Sequence, residues 1–212
     1  MSSFIDNYVK LIDEKEEEME IENDTEPFVD EQKTIIAIDN SGSTSGSILR
    51  NTKEMVNLII ESQQLKSHIY AWNNHCNIQN LNDVVSRGGT CPETIFPQIS
   101  KQVQNILITT DGEIGDILPT KRELNRHLHV KNIIAILFSS KEIVSSLNIS
   151  VFYPFMEHAK KVGGTFLLLC YHEHELYLLM KNIPNKVDDN LPKCVESFDE
   201  SVNWENISKI TP

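Results

Sequence analysis

Along most of this chain, short apolar runs alternate with stretches of helical periodicity. The first run is Thr34-Ile-Ile-Ala-Ile-Asp39, apolar at consecutive positions. That is the pattern of a strand buried on both faces. Residues 46–65 then place Ile48, Met55, Val56, Ile59 and Ile60 on one side, which predicts an amphipathic helix. A strand is predicted over 67–72, with a short edge strand including Cys76 to Ile78. Pro92 suits the first turn of a helix and predicts one running to about 104. Further strands are expected at 105–110, 132–138 and 165–171, the last closing the series. Helices near 119–129 and 152–162 lie between them, the second stopped by Gly163-Gly164.

This alternation implies an α/β fold: a doubly wound, mostly parallel sheet with helices on both faces. Such sheets bind ligands in the crevice beyond the carboxyl ends of their strands. Three oxygen-rich segments are expected at that edge. Asp39-Asn-Ser41-Gly-Ser43 follows the first strand, Arg87-Gly-Gly-Thr90 forms a loop, and Asp111-Gly112 follows the strand at 105–110. Asp39, Ser41, Ser43, Thr90 and Asp111 offer two carboxylates and three hydroxyls. Oxygen-only donors favour Mg²⁺, Mn²⁺ or Ca²⁺ over zinc or copper.

In this order, the three segments resemble the signature of the von Willebrand factor A (vWA) family: Asp-x-Ser-x-Ser, then a Thr, then an Asp after a central strand. The resemblance covers residues 33–180. It implies a vWA, Rossmann-like fold carrying a metal-ion-dependent adhesion site. It also implies that Asp39, Ser41 and Ser43 hold the ion, with Thr90 and Asp111 contributing directly or through water. In that family the ion bridges the domain to a carboxylate of its ligand, so the partner implied here is a protein offering an Asp or Glu. Glu113 and Asp116 are read as solvated loop acids.

Charge divides the chain further. Residues 1–32 hold 12 acidic and 2 basic residues, whereas the other 180 hold 19 acidic and 17 basic. The net charge of −12 therefore belongs mostly to an acidic N-terminal segment. Its beginning, 3–20, has helical spacing, and 20–32 reads as a linker. The expected organisation is 1–32 acidic helix and linker, 33–180 vWA-like domain, and 181–212 a C-terminal extension. The acidic segment is rich in the carboxylates such a site binds, so residues 13–31 are a candidate to occupy it, within one molecule or between two by self-association; the alternative is a solvated acidic tail. Nucleic acid is not an expected partner, because phosphate binding needs clustered Lys and Arg. No run approaches the roughly 18 to 20 apolar residues of a membrane span. No basic-then-apolar leader opens the sequence, and Cys76, Cys91, Cys170 and Cys194 show no CxxC pairing. The expected location is the cytoplasm or nucleus.

Enzymatic motifs are incomplete. Ser41-Gly-Ser-Thr-Ser-Gly46 lacks the Gly-Lys-[Ser/Thr] of a P-loop. An aspartate-nucleophile phosphatase needs an acid two residues on, where Ser41 stands. His172-Glu-His174-Glu lacks the second His of HExxH, since position 176 is Leu. The sequence therefore reads as an intracellular, divalent-metal-dependent protein-interaction domain, not an enzyme. The alternative is a metal-free scaffold or adaptor subunit of a larger complex, and a Mg²⁺-dependent hydrolase ranks below both.

Overall fold

The computed structural model describes residues 33–63, 68–139, 149–172 and 175–182, together with a short strand at Lys209–Ile210. The expected N-terminal helix, the acidic segment and its self-association all lie outside the described residues.

One mixed, mostly parallel sheet organises the chain. Its strands are β1 (Thr34–Asp39), β2 (His68–Trp72), β3 (Cys76–Asn80), β4 (Asn105–Thr110), β5 (Asn132–Phe138), β6 (Phe166–His172), β7 (Glu175–Asn182) and β8 (Lys209–Ile210). They lie in the order β3-β2-β1-β4-β5-β6-β7-β8. The five strands from β2 to β6 are parallel. The outer pairings β2–β3, β6–β7 and β7–β8 are antiparallel. Three helices are described: α1 (Ser47–Gln63), α2 (Leu118–Arg126) and α3 (Tyr153–Val162).

Side chains alternate across a strand, so each central strand feeds two cores. Ile35 and Ala37 of β1 join Ile106, Ile108, Ile133 and Phe166 under Leu124 of α2 and Phe155 and Ala159 of α3. Ile36 and Ile38 join Leu107, Ile134 and Leu167 under Met55, Val56 and Ile59 of α1. Helices thus cover both faces, and the continuous apolar runs are explained by burial on both sides.

Two expectations are corrected. No helix runs from Pro92 to 104; two 3-10 turns, Pro92–Thr94 and Phe96–Gln98, stand there instead. Pro97 is the cause: it has no N–H to donate, and its ring conflicts with the carbonyl four residues back. The turns still bury Ile95 and Phe96 completely. The strand at 165–171 does not close the sheet, because β7 returns antiparallel to β6 with His172 opposite Glu175. His172 and Glu175 of His172-Glu-His174-Glu therefore face each other across two strands.

Gly163 and Gly164 serve different needs. Gly163 is left-handed (φ 70) with open space where a Cβ would be. A Cβ on Gly164 would lie 1.8 Å from the carbonyl oxygen of Lys131. Gly164→Ala is expected to cost more stability than Gly163→Ala, although only the latter forces an unfavourable φ, worth about 1–2 kcal/mol. Urea denaturation of both variants tests this, and an equal or reversed ranking would contradict the tight approach of the two backbones.

Candidate functional site

The sheet order places a topological switch point between β1 and β4. From β1 the chain leaves to α1 on one face, and from β4 it leaves to α2 on the other. Strand order reverses here, and ligands of open α/β sheets bind at such a point. Asp39 ends β1, and Asp111 directly follows β4. The pairing Ile38↔Thr109 carries Asp39 alongside Thr110.

Asp39 is 2 % exposed, and both its oxygens are bonded. Its Oδ1 accepts the Ser41 N–H at 2.9 Å, and its Oδ2 accepts the Thr110 hydroxyl at 2.7 Å. Thr110 Oγ1 in turn accepts the Gly112 N–H at 3.0 Å, fixing the turn that carries Asp111. Asp111 Oδ1 accepts the Glu113 N–H at 3.1 Å. The Ser41 and Ser43 hydroxyls are 3.0 Å apart. Ser41 is buried and Ser43 exposed, so the pair leads from the interior to the surface.

Thr90 arrives on a strap. Leu81 and Val84 pack in the core beneath α1, whereas Ile95 and Phe96 pack in the opposite core. The chain between them passes over the carboxyl ends of the strands. Its backbone meets the β1 loop directly: Gly42 N–H donates to Gly88 O at 3.0 Å, and Arg87 N–H donates to Asn40 O at 2.6 Å. Gly88 needs its positive φ of 76 for this course. Thr90 is half-buried two residues on. Cys91, just beyond it, lies close enough to Asp39 and Glu93 for their charges to add to the burial that raises its thiol pKa.

The structure therefore brings four of the five expected residues, Asp39, Ser41, Ser43 and Asp111, to one edge, with Thr90 on the strap that packs against them. Sequence reasoning missed Thr110, although two hydroxyls directly before Asp111 were a visible signal. It also gave Asn40 no part beyond the loop. Asn40 is 2 % exposed and donates from Nδ2 to Val85 O at 2.8 Å. Glu113 and Asp116 are exposed as expected, and Asp116 Oδ1 accepts the N–H of Leu118 at the start of α2.

The donor set fits a hard dication. It consists of two carboxylates and neighbouring hydroxyls. Among the described residues, no three His, Cys, Asp or Glu side chains group as metal ligands, so hydroxyls would have to complete any shell. A cavity of about 250 Å³ lies elsewhere, between α2 and α3, bordered by Lys121, Asn125, Glu157 and Lys161. Its charged groups are already paired, Lys121 to Glu157 and Lys161 to Asn125, each at 2.9 Å. No described helix is long and apolar enough to cross a membrane.

Burial pushes the Asp39 carboxyl from its ordinary 3.8 up to about 6. The Thr110 and Ser41 hydrogen bonds oppose this rise, and the Asp111 charge adds to it. The folded state thus holds this proton more tightly than the unfolded chain. The stability it contributes is full below about pH 4 and is lost as pH rises through about 6. A shift of this size is worth ~3 kcal/mol. In EDTA, Asp39→Asn is expected to gain up to that much stability relative to wild type between pH 4 and pH 8. Urea midpoints at the two pH values test this, and an unchanged difference would refute the assigned cost of the ionised carboxylate.

Compared with known proteins, the chain matches no family model and no curated sequence.

Proposed function

We propose that this chain is a vWA-type, Rossmann-like domain that binds a divalent cation at its sheet edge and through it captures an acidic side chain of a partner protein. The observation carrying this reading is the Asp39 carboxylate, buried at the end of β1 and pinned by Ser41 and Thr110, with Asp111 beside it. Burying an ionised carboxylate is costly unless a positive charge compensates it. Among the described residues bonded to Asp39, none is cationic. A dication supplies that charge and an electrophilic point for a further carboxylate. Mg²⁺ suits the set, and Mn²⁺ or Ca²⁺ are accepted by the same oxygens.

Each residue has a part in this reading. Asp39, Ser41 and Ser43 hold the ion from the β1 loop. Thr90 and Asp111 approach from the strap and from β4, directly or through water. Two carboxylates balance the dication in formal charge, and in a shell of about six oxygens the position left open would be filled by an Asp or Glu of the partner. The reading is one of binding, not catalysis, because the hydroxyls and carboxylates are taken here as ligands of the ion.

A metal-free scaffold is the second reading, and one observation favours it. Both Asp39 oxygens already accept hydrogen bonds within the domain, so the loop holds its shape unaided.

Titration calorimetry with Mg²⁺ and Mn²⁺ separates the two. The wild type is expected to bind about one ion per chain, with Asp39→Ala abolishing binding and Ser43→Ala weakening it by about tenfold or more. Equal heats from wild type and Asp39→Ala would leave the scaffold reading standing. Partner capture that survives EDTA would say the same.

A further inference from the structure

The asparagines that follow β2 bear directly on how Thr90 is held. Asn74 touches the strap on both sides of that residue. Its Oδ1 accepts the Gly89 N–H at 2.6 Å, and its Nδ2 donates to Cys91 Sγ at 3.8 Å. Gly89 immediately precedes Thr90, and Cys91 immediately follows it. The fit is close: a Cβ on Gly88 would lie 2.7 Å from Asn74 Oδ1, and one on Gly89 would lie 3.2 Å from its Nδ2.

Asn74 is itself anchored through a buried relay. Asn73, its neighbour, is 4 % exposed and donates from Nδ2 to Asn40 Oδ1 at 3.0 Å. Asn73 Oδ1 accepts the His75 N–H at 3.0 Å, and Asn73 N–H donates to His75 O at 2.8 Å, closing the turn that presents Asn74. Asn40 holds Val85 O through its Nδ2 and takes the Arg87 N–H on its carbonyl. The relay joins the ends of β1 and β2 to each other and, through Asn40 and Asn74, to the strap. A primary amide has a donor and an acceptor on one carbon, so a single side chain can hold an N–H and a sulfur at once. Asp would lose the donor and Leu would lose both.

We propose that Asn74 is a positioning residue for Thr90: with Asn73 and Asn40 it clamps the strap at Gly89 and Cys91 and sets the Thr90 hydroxyl before any ligand arrives. This rests on the cation-binding reading for its functional consequence, though the clamp itself does not. The strap is then preassembled, and cation binding does not have to order it. Preorganised supporting contacts of this kind typically change metal affinity without touching the ion.

A double-mutant cycle read by Mn²⁺ calorimetry tests the assignment, with hydrogen exchange at Gly89 as an independent arm. Asn74→Ala is expected to weaken Mn²⁺ binding about tenfold. In a Thr90→Ala background the same change is expected to cost almost nothing, because the residue it positions is gone. Asn57→Ala, which removes an exposed bond to Glu61 on α1, serves as a neutral control. Asn74→Ala is also expected to speed Gly89 amide exchange with or without Mn²⁺, at an unchanged urea midpoint. Additive losses in the cycle, or undiminished Mn²⁺ binding by Asn74→Ala, would overturn the role in binding. Unchanged Gly89 exchange would overturn the clamp. A wild type that binds no Mn²⁺ would overturn the cation reading and the functional half of this one, and the exchange arm would still decide the clamp.

Discussion

A carboxylate held between two parallel strands is the constraint around which this edge of the domain is arranged. Asp39 ends β1 with its side chain on the same face as Ile35 and Ala37, and Thr110 stands beside it on β4. The Thr110 hydroxyl ties the two strand ends together and, through Gly112, aims the turn that carries Asp111. The Ser41 N–H closes the β1 loop onto the other carboxylate oxygen. Without Asp39, the β1 loop and the end of β4 lose a shared acceptor. The ionised group is nonetheless disfavoured where it sits, so the loop's geometry and its electrostatics pull in opposite directions. Sites that bind often carry such local conflict, resolved when the ligand arrives.

Much of the fold was legible because burial on both faces leaves a plain signature. β1, β4, β5 and β6 are runs of Ile, Leu and Val-like residues bounded by polar turns, and α1 shows one apolar side with Met55, Val56 and Ile59 buried as its periodicity requires. The segment after Pro92 misled because its apolar spacing, Ile95, Phe96, Ile99 and Val103, is compatible with a helix. Those residues do face the core, but Pro97 breaks the hydrogen-bond ladder that a helix would need. β7 was hidden by the charged connection before it, and by an apolar run whose length fits strand or helix equally well.

The candidate site was legible in its acidic and hydroxylic residues and opaque in its amides. Asp39, Ser41, Ser43 and Asp111 sit at strand ends, and strand ends can be read from hydrophobic runs. Asn40, Asn73 and Asn74 act through pairings between segments distant in sequence, and a polar residue in a loop looks the same whether it is solvated or bonded across the fold. Asn73 lies 33 positions from its partner Asn40. Only the sheet order, which sets β2 beside β1, brings them together.

The strap between Val84 and Ile95 has a consequence of its own. The sheet is a wall between two hydrophobic layers that share no side chains, and each would ordinarily relax without regard to the other. The strap is rooted in both. It buries Val84 beneath α1 at one end and Ile95 and Phe96 in the layer of α2 and α3 at the other, and between them its backbone bonds to Asn40 and Gly42. The edge is thereby closed over by a stretch of chain that both layers anchor.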